Sequence, residues 1–416
     1  MISTYQNLSH AVQDLIIFTD IINYSVILIL IFSLIYIKNL NHHIATALVL
    51  TSAVPFAMPI LIALVKVDMT DQAAYPLAVR FLRLSLWDVK EFWTAMITDE
   101  ARTSFEYSRF EVFEGKDFGG VRIREIFQFQ RVPIAYLYSI IPLPFSESQI
   151  SFALLNKFLF VMLIGYLIHK KALTNNLALI FILLPSCIIW TSVALRDTLV
   201  LSVMCLIVLF LIEHKLILTF FFLLVLALIK TQNFYMMSVI TLFYVAFFYN
   251  RENIYRRYFV YFVILFAFII FSSNFDKILE YFNEVRKAFY SFDHPLEPEG
   301  FKELVININM LPEIIFRGFV FYFNPAIWKA DTVAKMLISL ESLFFLLYTY
   351  SIYKNSNKKG KNIVIFWVVS LFFCLSIYGL LVENVGTAAR WKFPFILTFI
   401  LAISYNINKD KRKNKI

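Results

Sequence analysis

Charged residues are scarce in this chain. Asp, Glu, Lys and Arg make up 16% of its 416 residues against 60% hydrophobic, and the mean hydropathy is +0.71. A composition this apolar excludes one or two soluble domains and points to a polytopic membrane protein. Cysteine is nearly absent. Cys187, Cys205 and Cys374 lie inside apolar runs at no metal-like spacing, so a disulfide framework and a zinc site are excluded, no metal is expected, and the thiols read as lipid-buried fillers. Glycine is reduced to nine residues. With heavy use of Ile, Phe, Asn, Lys and Tyr, that scarcity is what an AT-rich coding sequence gives, so the 46 phenylalanines are weak evidence for an aromatic binding surface. The first 20 residues carry Asp14 and Asp20 and no basic segment. A cleaved secretory signal is therefore not expected; the first long apolar run reads as an anchor and the chain as mature. No ladder of charges crosses the apolar runs, which counts against a proton-coupled pump.

What is present is apolar length. Runs fall at roughly 21–37, 44–66, 151–168, 175–193, 197–212, 215–229, 232–249, 257–272, 333–352, 362–382 and 390–405. They predict an all-α fold of about eleven transmembrane helices, forming a single transmembrane domain over 1–416. The run 133–146 is short and broken by Pro133, Pro142 and Pro144, so an interfacial or re-entrant piece is expected there.

Charge sets the orientation. The tail at 406–416 is basic, and with it on the cytoplasmic side every alternate connection is short and basic: Lys354 with Lys358, Lys359 and Lys361; Arg251 with Arg256 and Arg257; His214-Lys215; His169-Lys170-Lys171; Lys38 with His42 and His43. The other face receives the N-terminus and two long loops, 67–150 and 273–332. The first holds 9 basic and 12 acidic residues and the second 6 and 9, so both are net acidic. The positive-inside rule then gives N-terminus out and C-terminus in. The net charge of +9 is a topology signal and implies no nucleic-acid partner; the tail is a cytoplasmic anchor against anionic membrane lipid.

Short outer turns break this bias. They hold Arg196, Lys230 and Arg390 with Lys392, and three cationic turns on one face imply an anion site at headgroup depth. Arginine suits phosphate because its planar fork grips two oxygens and keeps its charge when partly buried. The competing reading is that each cation snorkels and ends a helix. Arg196 and Arg390 have polar surroundings that favour the anion site: Thr191, Ser192, Asp197 and Thr198 beside the first, Glu383, Asn384, Gly386 and Thr387 before the second. For Lys230 and Lys392 the two readings stand level.

The outer loops offer further groups. Asp68 and Asp71 start an amphipathic helix running to Arg83, with Tyr75 inside it; Asp71 is a helix-capping carboxylate or a general base. Asp197 is a second acidic candidate, although neutralising Arg196 is its simpler role. In the second loop, 276–303 is acidic and exposed in character, whereas Leu311–Trp328 is apolar, short and bracketed by prolines, which suits an interfacial piece with Arg317 facing polar surroundings. Two ionisable residues stand inside spans. Glu341 is to be protonated or paired, and Lys157, two turns from the outer end, is a functional candidate or a snorkelling residue.

The pattern Pro185, Ser186, Trp190, Ser192, Arg196, Asp197, followed by Gly386, Thr387, Ala388, Arg390 and Pro394, resembles bacterial O-antigen and oligosaccharide repeat-unit polymerases of the Wzy type. Asp71 with Tyr75 and the segment Asn324-Pro325-x-x-Trp328 are similar to parts of the same proteins and of their polyprenyl-dependent glycosyltransferase relatives. The likeness extends in topology from about residue 20 to 405. The resemblance implies a GT-C-like enzyme of the bacterial inner membrane, with two large periplasmic loops and no cofactor. It implies inverting, metal-independent transfer of a glycan from undecaprenyl diphosphate to an incoming lipid-linked repeat unit, with a chain-length regulator protein as a candidate partner. Arg196 and Arg390, supported by Lys230 and Arg317, would then bind the diphosphate, Asp71 or Asp197 would be the base, and Tyr75, Trp190 and Asn384 would line the substrate cavity. One departure stands out: the loop arginines Arg80, Arg83, Arg102, Arg109, Arg122, Arg124 and Arg131 form no repeat of the kind many members carry.

Two other activities fit the same topology. A transferase using a polyprenyl-monophosphate sugar would add one residue and leave chain length unchanged. A lipid-linked-oligosaccharide flippase needs polar residues along a central path, whereas polarity here is concentrated outside.

Overall fold

A chain this apolar can pair its backbone amides inside a bilayer by forming helices, because each helix satisfies its own N–H and C=O groups. The computed structural model describes residues 2–38, 40–58, 136–141, 149–248, 311–330, 332–382 and 385–413, with isolated positions at 79, 134, 258, 273, 279–280, 283–284, 286–287 and 303. Among them all regular structure is helical. Six helices are long and apolar enough to cross a membrane: Phe18–Ile37, Gln149–His169, Thr231–Phe248, Lys335–Lys354, Lys358–Leu381 and Thr387–Lys409. An all-helical, membrane-embedded protein is thus as expected from composition.

The remaining predicted spans fare differently. Helices Asp197–Ile212 and Leu216–Ile229 have 16 and 14 residues, about 24 and 21 Å at 1.5 Å per residue, against a hydrocarbon core of about 30 Å. The run 44–66 is described only as far as Met58, and 257–272 lies outside the described residues apart from Tyr258. The expected span 175–193 is corrected: it is two helices, Asn175–Leu183 and Pro185–Trp190. Proline is the cause. Leu184 precedes Pro185 and is held extended at φ −61, ψ 129, as the proline ring requires of its neighbour, and Pro185 then starts the new helix where its missing N–H costs nothing.

The chain divides into two compact units, Met1–Ser202 and Val203–Ile416. The first contains α1 (Ile2–Lys38), α2 (His42–Ser52), α3 (Gln149–His169), α4 (Asn175–Leu183), α5 (Pro185–Trp190) and the start of α6 (Asp197–Ile212). Helix α1 packs on α3, and α2 on α4. The stripe Asp20, Asn23, Ile27 and Ile31 is buried while Ile21, Ile29, Phe32 and Tyr36 are exposed, so α1 turns one helical face to protein and leaves an apolar one for lipid. Helix α3 is different, for every residue from Ser151 to Lys157 is buried.

The second unit holds the rest of α6, then α7 (Leu216–Ile229), α8 (Thr231–Phe248), α9 (Leu311–Phe323), a 3-10 turn at Ile327–Lys329, α10 (Val333–Lys354), α11 (Lys358–Leu381) and α12 (Val385–Lys413). Helix α9 lies close against α11. Two glycines permit this: a Cβ at Gly379 would stand 2.6 Å from the Arg317 carbonyl oxygen, and one at Gly318 would stand 2.2 Å from Ser376 Oγ. Its other face, with Ile315, Phe316, Phe319 and Val320, is exposed, so α9 is amphipathic. The shortage of glycine shows at helix ends. Lys171 and His214 take the left-handed turns (φ 54 and 64) that glycine usually occupies, and the bonds Ala172 N–H to Leu167 O and Lys215 N–H to Phe210 O close both ends. The three cysteines are free and buried.

Candidate functional site

In the first unit, the chain between α5 and α6 is unwound. Thr191 to Arg196 is not helical, yet Thr191, Ser192, Val193, Ala194, Leu195, Arg196, Asp197 and Thr198 are all buried. Irregular backbone is tolerated in a membrane protein only where protein or a water-filled cavity supplies its hydrogen bonds. Here α3 supplies them. The Asn156 side-chain amide donates to Val193 O at 2.7 Å and to Leu195 O at 2.8 Å, and its own oxygen accepts from the Tyr138 hydroxyl at 2.5 Å. Tyr138 is fixed in turn by stacking on Phe152 at 4.3 Å. Asn156 is therefore fully used as a clamp on the unwound segment.

The neighbouring Lys157 points at the same segment. Its ammonium donates to Thr191 Oγ1 at 2.6 Å, and that hydroxyl donates to Cys187 O at 2.5 Å. Only 1% of Lys157 is exposed, so it does not snorkel. Across the break, Thr198 in the first turn of α6 donates to Trp190 O at 3.5 Å, and Val200 N–H donates to Arg196 O at 3.1 Å. Arg196 thus caps α6 and Asp197 begins it, a position where the helix dipole favours a carboxylate. Trp190 Nε1 is buried without a hydrogen-bond acceptor among the described residues. Near the start of α3, Ser151 donates to the buried Asp20 carboxylate of α1 and accepts from Asn23 Nδ2 at 3.4 Å.

The second unit places the other cations. Lys230 ends α7 and is 2% exposed, its ammonium 5.0 Å from the Trp391 ring centre and 5.8 Å from that of Tyr378. The Tyr378 hydroxyl donates to Asn233 Oδ1. Arg390 lies one residue before Trp391 on α12 and is half-buried. Arg317 is ion-paired along α9, Nε and Nη2 each 3.0 Å from Glu313 Oε1. The pair flanks a cavity of about 420 Å³, which Asn324 and Gly379 also line.

Lys392 is fully engaged. Its ammonium donates to Tyr322 O at 3.0 Å, Asn324 O at 2.6 Å and Ser342 Oγ at 3.0 Å, and the buried Glu341 acts on it electrostatically. It closes the C-terminal end of α9, where a cation is favoured by the open carbonyls. Ser342 Oγ also donates to Tyr322 O at 3.0 Å, and the Tyr322 hydroxyl donates back to Ser342 O at 2.7 Å. Burial pushes the Tyr322 phenol above its ordinary value, so it stays neutral as this donor requires. Lys392 thus neither snorkels nor ends its own helix; it lies within α12 and turns its charge inward onto the end of α9.

Arg196, Asp197 and Trp190 all belong to the first unit, at either end of the unwound segment. Lys230, Arg390 and Arg317 belong to the second, the first two beside Trp391 and the third on α9. Asp71, Tyr75, Glu383 and Asn384 lie outside the described residues. Asn156 and Tyr138 had no part in the sequence reading, although the polar pair Asn156-Lys157 inside an apolar run was a visible signal. No family model matches the chain, and no curated protein or solved structure matches it.

Proposed function

We propose that this protein is an O-antigen polymerase of the bacterial inner membrane, joining undecaprenyl-diphosphate-linked repeat units at the periplasmic face by inverting, metal-independent glycosyl transfer. The observation that carries the reading is the buried, unwound Thr191–Arg196 segment ending in Arg196-Asp197 at the start of α6. Helices broken inside a membrane protein present a positive N-terminal end to anionic groups, and a guanidinium at that end suits a diphosphate leaving group. In this reading a hydroxyl of the incoming unit attacks the anomeric carbon of the growing glycan. Its proton passes to a carboxylate, Asp71 or Asp197, as the glycosidic bond forms. The bond to the diphosphate oxygen breaks, and undecaprenyl diphosphate leaves with the electron pair, its charge stabilised by Arg196. Arg390, with Lys230 and Arg317 in support, carries the corresponding role for the second unit, and Trp190, Tyr75 and Asn384 are assigned to the substrate cavity.

The proposed topology is GT-C-like, with about eleven crossings, N-terminus periplasmic and C-terminus cytoplasmic; within it the region 175–212 crosses through broken helices. A lipopolysaccharide gel tests the activity. A strain lacking the protein should show a one-repeat band and no ladder, and Arg196→Ala and Arg390→Ala proteins that insert normally should fail to restore it. Restoration of long O-chains by either variant would refute the role given to that arginine. A deletion strain with unaltered ladder but one sugar missing per unit would identify a single-sugar transferase instead.

A further inference from the structure

We infer that the crevice between α9 and α11 seats one glycerophospholipid whose headgroup carries both a phosphate and an ammonium. The inference goes beyond glycosyl transfer and does not rest on it. Depth is its first support. The Arg317 carbonyl of α9 lies against Gly379 of α11, and the Phe319 ring lies 4.6 Å from that of Phe372. About 10 Å of helix separates Gly379 from Phe372. Helix α9 therefore starts beside the Leu381 end of the span Lys358–Leu381 and descends along it. At its far end the Tyr322 hydroxyl reaches the Ser342 carbonyl, inside the span Lys335–Lys354.

The crevice follows that descent. Its volume is about 420 Å³, in the range of about 300–1,000 Å³ that small-molecule sites occupy. Glu313 and Arg317 line it at the start of α9 and Asn324 just past the end, about 16 Å apart by helical rise. Between them its walls are apolar. Phe316 and Val320 belong to the exposed apolar face of α9, so in a bilayer the crevice opens to lipid. Charge at the shallow end and an apolar run below it is the order of a phospholipid. The charges also select the headgroup. Arg317 Nε and Nη2 both lie 3.0 Å from Glu313 Oε1, and the two side chains remain 28% and 46% exposed. One helical turn thus presents a cation and an anion together. A guanidinium suits a phosphate, and a carboxylate accepts from an ammonium. A zwitterionic headgroup meets both, whereas a headgroup of net negative charge would meet the carboxylate as a like charge. A carrier diphosphate at Arg317, the supporting role proposed above, is the competing outcome of the test.

The test counts lipid adducts of the detergent-solubilised protein by native mass spectrometry. Dioleoyl-phosphatidylethanolamine should give one saturable adduct, at concentrations about three- to fivefold below those that dioleoyl-phosphatidylglycerol requires, the scale of a partly exposed ion pair. Glu313→Gln keeps an acceptor for Arg317 and removes the charge that the ammonium meets, so this preference should vanish or reverse. Val320→Trp fills the apolar wall and leaves both charges, so the saturable adduct should be lost. Should Val320→Trp fail to fold, Glu313→Gln, on an exposed side chain, still decides the matter. A wild-type preference for phosphatidylglycerol, or a phosphatidylethanolamine preference unchanged in Glu313→Gln, overturns the inference. So does a saturable adduct that persists in folded Val320→Trp protein. Displacement of the adduct by farnesyl diphosphate at lower concentration than by either phospholipid also overturns it, and leaves Arg317 to the carrier diphosphate.

Discussion

Replacing Lys392 by Met tests how the second unit is held together. The side chain keeps its length and loses its charge. Its ammonium reaches Tyr322 O, Asn324 O and Ser342 Oγ within 3.0 Å. Tyr322 O keeps a second donor in Ser342 Oγ, so the substitution orphans mainly Asn324 O and removes the cation that acts on the buried Glu341. Removing one partner from a buried charge cluster costs about 3–5 kcal/mol. For a unit of this size each kcal/mol lowers the melting temperature by about 2–4 °C, so a fall of about 10 °C is expected. The assay uses a thiol-reactive fluorogenic dye on detergent-solubilised protein, because the free cysteines Cys205 and Cys374 are buried until the unit opens. Because Glu341 acts on Lys392 electrostatically, Glu341→Gln and Lys392→Met should be non-additive, the double variant losing less than the sum of the two single losses. A melting point for Lys392→Met within about 2 °C of wild type, well inside the expected fall, would refute the clamp.

The first unit has an equivalent test at Asn156. Asn156→Leu removes the donors to Val193 O and Leu195 O and should cost about 2–4 kcal/mol, two unsatisfied buried carbonyls, read as earlier dye reaction at Cys187, which α5 carries; unchanged reactivity would mean that the unwound segment does not depend on the clamp. Gly379→Ala sets a methyl 2.6 Å from the backbone oxygen of Arg317, whereas Gly165→Ala meets only the Leu34 side-chain tip at 2.9 Å. Overpacking against backbone should cost about 1–3 kcal/mol at Gly379 and less at Gly165; equal melting points for the two variants would show that α9 does not need its close approach to α11.

Helix length and the apolar faces were legible because both follow from local composition: a long run such as 358–381 has one low-energy structure in a bilayer. The break inside 175–193 escaped a count of apolar residues, yet Pro185 announced it through its own stereochemistry. What could not be read was which polar groups would meet. Asn156 and its acceptors stand 37 and 39 positions apart, Asp20 and Ser151 131 apart. No local pattern encodes such pairings, since they depend on how α1 and α3 pack. The same holds for direction. Lys157 lay two turns from a helix end and was free, on sequence alone, to snorkel outward; the enclosure of α3 from Ser151 to Lys157 sends it to Thr191 instead. Arg196 and Asp197 were recognisable because charges between apolar runs are costly wherever they end up.

Three buried lysines show how one chain meets that cost in different ways. Lys157, Lys230 and Lys392 are all at most 2% exposed. Lys392 spends three donors on two carbonyls and a hydroxyl at the end of α9, so an incoming anion would have to break bonds already made. Lys230 faces the rings of Trp391 and Tyr378, whose electron-rich faces stabilise a desolvated cation by about 2 kcal/mol. Lys157 has one hydroxyl. It ties α3 to the unwound segment that leads to Arg196. If burial alone decided a lysine's weight the three would be equivalent, and substituting Met at each would destabilise the protein alike. The hydrogen-bond inventory predicts otherwise: a larger loss of stability at position 392, where three bonds go, than at position 157, where one goes.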